Sequence, residues 1–224
     1  MNKTMLAAMT AATLTAFCAR SAEPVFTTDY ENAANGIKTT EGVSGKGLLV
    51  SGSSKAMPQK FMIPDILKND AGTVAFWFKP IAWDDSYPTN LNLFYASTGR
   101  SIVRVYKNAV DPKSSMSSKL VFFYGQSRNA AGGPGFQRIA VPAAFYRKGS
   151  WTFVAVTWRD GRINLYVNGR ITASNVMVEP IKPISEFTIG DASAGADTAF
   201  DNVAIYDTAL TEAEIAALYA NARK

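Results

Sequence analysis

The chain contains no histidine. Neither Ser-His-Asp nor Cys-His nucleophilic catalysis is open to it, and the commonest transition-metal ligand is missing. Chemistry would have to come from carboxylates, Lys, Tyr, Ser or Thr, and the carboxylates are poorly spaced for it. Asp29 and Glu31 stand near the start without a third acid, Glu212 and Glu214 belong to a helix start, and Asp84 and Asp85 are adjacent. Neighbouring strand residues face opposite sides, so adjacent acids on a strand would not converge on one substrate atom. Gly132-Gly133-Pro134-Gly135 lacks the following helix and the Lys-Ser/Thr pair of a phosphate loop, and reads as a turn.

Binding is better served than catalysis. A sugar site stacks an aromatic ring on a pyranose C–H face and meets the hydroxyls with Asp, Asn, Gln or Arg. Trp83, Asp84, Asp85 and Tyr87 supply both components within one polar loop, 80–90. Tyr124, Gln126, Arg128 and Asn129 repeat them beside a second loop, 125–135, and are expected to face the first set across a shared rim. Trp77, Trp151 and Trp158 lie inside strand-like patterns and are expected in the core.

The elements that would position these residues are strands. In Trp151–Arg170, WTFVAVTWRDGRINLYVNGR, apolar and small polar residues alternate with a period of two. Asp160-Gly161 and Asn168-Gly169 are the dipeptides of type I′ hairpin turns, which need positive φ at both central residues. Two such turns eight residues apart specify a three-stranded antiparallel meander. Similar runs recur near 24–28, 47–51, 59–63, 72–79, 91–96, 102–107, 119–125, 136–141, 185–190 and 199–206, at the spacing of a β-sandwich. Residues 72–78, GTVAFWF, are apolar on both faces, as a central strand covered on both sides would be. The last element differs: Thr211 and Glu214 form a capping box ahead of an amphipathic helix over 212–222, with Ile215, Leu218 and Tyr219 on one face.

The N-terminus carries a separate signal. Lys3, an apolar run from Met5 to Phe17 and small residues around Ala19-Arg20-Ser21-Ala22 have the three-part pattern of a secretory signal peptide cleaved after Ser21. The run is shorter than the roughly 20 residues that span a bilayer. Phe17 before Cys18 spoils a lipobox. Residues 22–224 would then form one domain with no membrane span, and with no disulfide because Cys18 is the single cysteine. Loss of Lys3 and Arg20 lowers the net charge from +5 to about +3, spread without a basic run, which argues against nucleic acid as partner. The protein is expected in the periplasm, the cell envelope or outside the cell.

GVSGKGLLVSG at 42–52, GTVAFWFKP at 72–80, the double hairpin at 151–170, FTIGDASAG at 187–195 and FDNVAIYDTALTEAEIAALY at 200–219 occur in the order and register of laminin-G-like, concanavalin A-like lectin/glucanase domains. The chain resembles that group, including its bacterial secreted members, over essentially all of residues 22–224. The resemblance implies a jelly roll of two antiparallel sheets plus the C-terminal helix. Related glycosidases carry Glu-x-Asp-x-x-Glu on one strand, and this sequence lacks it, so the resemblance implies a non-enzyme. It also implies one structural Ca²⁺ held by Asp201 with carbonyls near residues 29–31 and 45, and with Asp29 or Glu31 contributing a side chain. The expected function is a carbohydrate-binding, lectin-like module whose partner is a glycan. The alternatives are a protein-interaction or cell-envelope module that contacts a surface protein, and a divergent glycosidase.

Overall fold

The computed structural model describes residues 22–52, 56–128, 133–177, 179–193 and 195–222. The segment expected to be a signal peptide, 1–21, and candidate Asn129 lie outside the described residues. The expected fold class holds: two antiparallel sheets face each other, with one helix at the C-terminal end.

The larger sheet contains β1 (Phe26–Thr28), β2 (Thr39–Glu41), β3 (Lys46–Val50), β5 (Ala71–Pro80), β10 (Thr152–Arg159), β11 (Arg162–Val167), β12 (Arg170–Val176) and β14 (Thr198–Tyr206). Its order is β12-β11-β10-β5-β14-β3-β2, with β1 also on β14. The smaller sheet contains β4 (Gln59–Leu67), β6 (Leu91–Thr98), β7 (Ser101–Lys107), β8 (Leu120–Gln126), β9 (Gly135–Val141) and β13 (Ile184–Ile189), in the order β4-β13-β6-β7-β8-β9. Both hairpins form as the dipeptides predict: Asp160, Gly161, Asn168 and Gly169 all have positive φ. They set β10 against β11 and β11 against β12. The strand missing from the sequence reading is β2, three polar residues with no alternation to reveal it.

The main core fills the space between the sheets. Phe94 stacks on Phe187 at 5.5 Å and on Phe76 at 6.5 Å, and all three are fully buried. Burying such a side chain stabilises the fold by about 1.5–3 kcal/mol. Trp158 is also fully buried, its indole donating to the Lys68 carbonyl at 2.9 Å. A Cβ at Gly72 would lie 2.1 Å from that indole, so the position requires glycine.

A second cluster covers the opposite face of the larger sheet. The helix α1 (Glu212–Asn221) starts at the predicted capping box, in which Thr211 accepts from the Glu214 amide and the Glu214 carboxylate accepts from the Thr211 amide. Its Ile215 and Tyr219 pack with Ala75, Trp77, Phe153, Ala155 and Tyr166. This is why residues 72–78 of β5 are buried on both faces. No helix among the described residues is long and apolar enough to cross a membrane.

Candidate functional site

The two loops expected to form one rim lie at opposite ends of the six-stranded sheet. Loop 81–90 leads into Leu91, which pairs with Lys107 at the end of β7. Loop 127–134 leaves Gln126, which pairs with Ser101 at the start of β7. Seven residues of strand separate them, about 20 Å at the usual rise.

The aromatic residues expected in these loops are core residues. Trp83 is 2% exposed, stacks on Phe78 at 6.3 Å and donates its indole N–H to Thr198 Oγ1 at 2.7 Å. Tyr124 is 1% exposed, its hydroxyl lies between Asn69 O and Ile181 N, and burial pushes its pKa up. Neither offers a ring face to a ligand.

The polar candidates mostly build turns. Asp84 Oδ1 accepts from the amide and hydroxyl of Ser86, which holds its pKa below the usual carboxylate range. Asp85 is exposed. The Tyr87 carbonyl accepts from the ammonium of Lys107, a fully buried lysine that pins the loop to the sheet and whose pKa burial lowers. Gln126 donates to Pro180 O at 3.1 Å, and Arg128 is exposed at the far end.

The residues expected to hold calcium are arranged around backbone amides. Asp201 is fully buried in β14, where Oδ2 accepts from Val43 N at 2.8 Å and Ser44 N at 3.5 Å, and Oδ1 accepts from Asn202 N at 2.7 Å. Asp29 Oδ1 accepts from Glu31 N, and Glu31 Oε1 accepts from Lys46 N at 2.9 Å. Calcium needs six to eight oxygen ligands. N–H donors face four of the six carboxylate oxygens of Asp201, Asp29 and Glu31, so an ion bound here would share or displace them. Among the described residues no three or more His, Cys, Asp or Glu gather in a group able to hold a metal. Burial outweighs the amide bonds at Asp201 and raises its pKa to about 6. The neighbouring Tyr30 hydroxyl is buried, and its pKa rises through burial and the Asp201 charge.

The outer face of the six-stranded sheet gathers binding chemistry that the sequence reading missed. In β7 the side chains of Val103 and Val105 enter the core, so Arg104 between them faces outward. The register then fixes a row across the sheet: Lys60 on β4, Thr188 on β13, Tyr95 on β6, Arg104 on β7, Phe123 on β8 and Arg138 on β9. Tyr95, Arg104 and Phe123 are half-buried, and Lys60 and Arg138 are exposed. Phe136, two residues before Arg138, stacks on Phe123 with ring centres 4.4 Å apart. Opposite it Gly125 has φ +128°, and a Cβ there would lie 2.4 Å from Gly135 O, so the position requires glycine.

Arg104, in the middle of the row, is held through Asn92. A bulge between Asn92 and Phe94 lets Asn92 face outward while Leu93 and Phe94 both stay buried. Asn92 donates through its backbone and side-chain nitrogens to Asp191 Oδ2, both at 3.0 Å, and its Oδ1 accepts from Arg104 Nε. Asp191 Oδ1 in turn accepts from the amide and hydroxyl of Ser193. The Arg104 guanidinium lies 4.0 Å over the Tyr106 ring. Burial lowers its pKa, although an arginine stays protonated. The result is a fixed guanidinium beside two partly accessible aromatic rings, which is stacking plus directed hydrogen bonding. The strand alternation placed Arg104, Phe123 and Arg138 on outer positions, but strand order alone brings them side by side.

The family model of the concanavalin A-like lectin/glucanases superfamily matches residues 58–216. No curated protein sequence matches. Among solved structures, the binding domain of botulinum neurotoxin serotype G is similar with a TM-score of 0.64 and 11% identity, over 89% of this chain and 51% of that one. The binding domain of Paraclostridial Mosquitocidal Protein 1 gives 0.60 and 14%, over 83% and 45%. The binding domain of botulinum neurotoxin DC in complex with SialylT gives 0.62 and 13%, over 83% and 44%. The chain thus spans about half the length of these binding domains, and the likeness is one of fold.

Proposed function

The chain belongs to the concanavalin A-like lectin/glucanase superfamily, and from that premise we propose that it is a secreted, non-catalytic carbohydrate-binding module that holds a glycan on the outer face of its six-stranded sheet. The fold and its binding-domain neighbours fit a binding module. The observation that carries the glycan reading is the row Tyr95–Arg104–Phe123, with Asn92 locked behind it. Tyr95 and Phe123 offer ring faces to pyranose C–H groups, and Arg104 offers the N–H groups that Asn92 does not occupy. The neighbour solved with SialylT supports a sugar partner. The N-terminal charge, apolar run and small residues support export.

Hydrolysis needs a free acid and a free base or nucleophile across a sugar bond. On this face the Glu186 carboxylate is engaged by Lys60 at 2.8 Å, and Asp191 beside it by Asn92 and Ser193. That favours recognition without cleavage. An open face buries little ligand area, so affinity is expected to be modest. Affinity electrophoresis against a panel of polysaccharides, repeated with Phe123→Ala, tests the reading. At least one polysaccharide should retard the wild type and retard the variant less. Equal retardation of a folded Phe123→Ala, or no retardation by any polymer, contradicts it.

A further inference from the structure

Within that glycan-binding reading, on which this inference rests, we infer that the ligand is an acidic polysaccharide, bearing carboxylate or sulfate groups along its chain. Arg104 and Arg138 lie on the same level of the sheet, each paired in register with Phe123 between them. That places their strands two inter-strand steps apart, about 10 Å. Among the described residues neither forms an ion pair with a carboxylate.

Each guanidinium is instead carried on an aromatic ring, Arg104 over Tyr106 at 4.0 Å and Arg138 over Phe136 at 5.6 Å. A ring restrains a guanidinium without neutralising it, and leaves N–H edges for a planar anion. Arg104 spends Nε on Asn92 and keeps its two terminal nitrogens. Such forks bind carboxylate and sulfate oxygens more strongly than a neutral hydroxyl.

The balance of donors and acceptors points the same way. A neutral sugar both donates and accepts, so its site needs acceptor side chains beside its donors. Along the row the guanidiniums of Arg104 and Arg138 stand with only the hydroxyls of Thr188 and Tyr95 beside them, Lys60 being paired with Glu186 at 2.8 Å. The acceptors beside the row, Asn92 Oδ1, Asp191 and Glu186, are already engaged. Phe123 between the two arginines, stacked on Phe136 beside Arg138, supplies the platform for the sugar ring. Two like charges separated by an apolar step match a chain whose sugars carry an acidic group at regular intervals.

The test is affinity electrophoresis of the mature protein against polygalacturonate, the same polymer after carboxyl reduction, dextran sulfate and plain dextran, with Arg104→Gln, Arg138→Gln, Phe123→Ala and the control Arg170→Gln on the other sheet. Polygalacturonate or dextran sulfate should retard the protein at least about tenfold more strongly than its neutral counterpart. Each face arginine should contribute several-fold, their loss together about tenfold, with added salt weakening the wild type and the control unchanged. Which of the two polymers binds distinguishes carboxylate from sulfate. Equal binding of neutral and acidic polymers, or loss in Phe123→Ala but not in the arginine variants, overturns the acidic ligand and leaves the glycan reading standing. Binding untouched by every face variant, or no binding at all, overturns both.

Discussion

The two outer faces of the sandwich began from similar materials and ended differently. On the larger sheet, Trp77, Phe153 and Tyr166 face outward and are roofed by α1, whose Tyr219 stacks on Trp77 at 5.4 Å. On the smaller sheet, Tyr95, Phe123 and Phe136 also face outward, yet no helix among the described residues covers them and arginines stand beside them. The closed face is mostly apolar, the threonines buried in it, Thr73 and Thr157, are hydrogen-bonded, and it serves stability. The open face mixes rings with unpaired cations, which a second core would not tolerate. An outward aromatic is therefore no ligand signal by itself. The company it keeps decides.

The comparison breaks first at its strongest point, where a ring is removed from each face. Trp77→Ala, under the helix, should cost about 3–5 kcal/mol in urea denaturation. Phe123→Ala, half-buried on the open face, should cost about 1 kcal/mol and leave the cooperative transition intact. Similar losses for both would mean that the open face is a core surface after all.

A smaller effect belongs to Asp201, behind the closed face. Its folded-state pKa of about 6 lies above the unfolded value of about 3.9. The folded protein thus binds the extra proton between those values, and its stability falls as pH rises through that window. The expected loss between pH 4 and pH 7 is on the order of 2 kcal/mol, read from melting temperature against pH, and Asp201→Asn should flatten that slope. Millimolar calcium should leave the melting temperature at pH 7 unchanged, because the Asp201 carboxylate already accepts three backbone amides. A rise with calcium would restore the ion to this site.

The smallest effect tests how firmly the helix closes its face. Thr211→Ala removes the cap on α1 and should cost about 1 kcal/mol. It should speed hydrogen exchange in the helix while leaving β6–β9 unaltered. Coupled loss across both faces would argue against their independence.

Most of the fold was legible because it is written in local chemistry. Asp160-Gly161 and Asn168-Gly169 dictate the turns, and Thr211 with Glu214 dictates the helix start, so the meander and α1 follow from short windows. The site was legible only in part. Trp83 sits in polar sequence surroundings that look like an exposed loop, and Tyr124 at the end of an apolar strand beside one, but each finds a buried partner from a distant segment, Thr198 for one and Ile181 for the other. Arg104 and Arg138 lie in ordinary strand patterns, SIVRVYK and GFQRIAV, that mark them as outward-facing. Their meeting across Phe123 depends on β7, β8 and β9 being neighbours, which alternation within a strand does not encode.

The central claim is that the open face of the six-stranded sheet is the ligand surface, and amide chemical-shift mapping with a retained oligosaccharide tests it most directly. Shifts concentrated at Asn92, Tyr95, Arg104, Phe123, Phe136 and Arg138, with α1 silent, are the predicted result. Shifts centred instead on loop 81–90 or on α1 would contradict it.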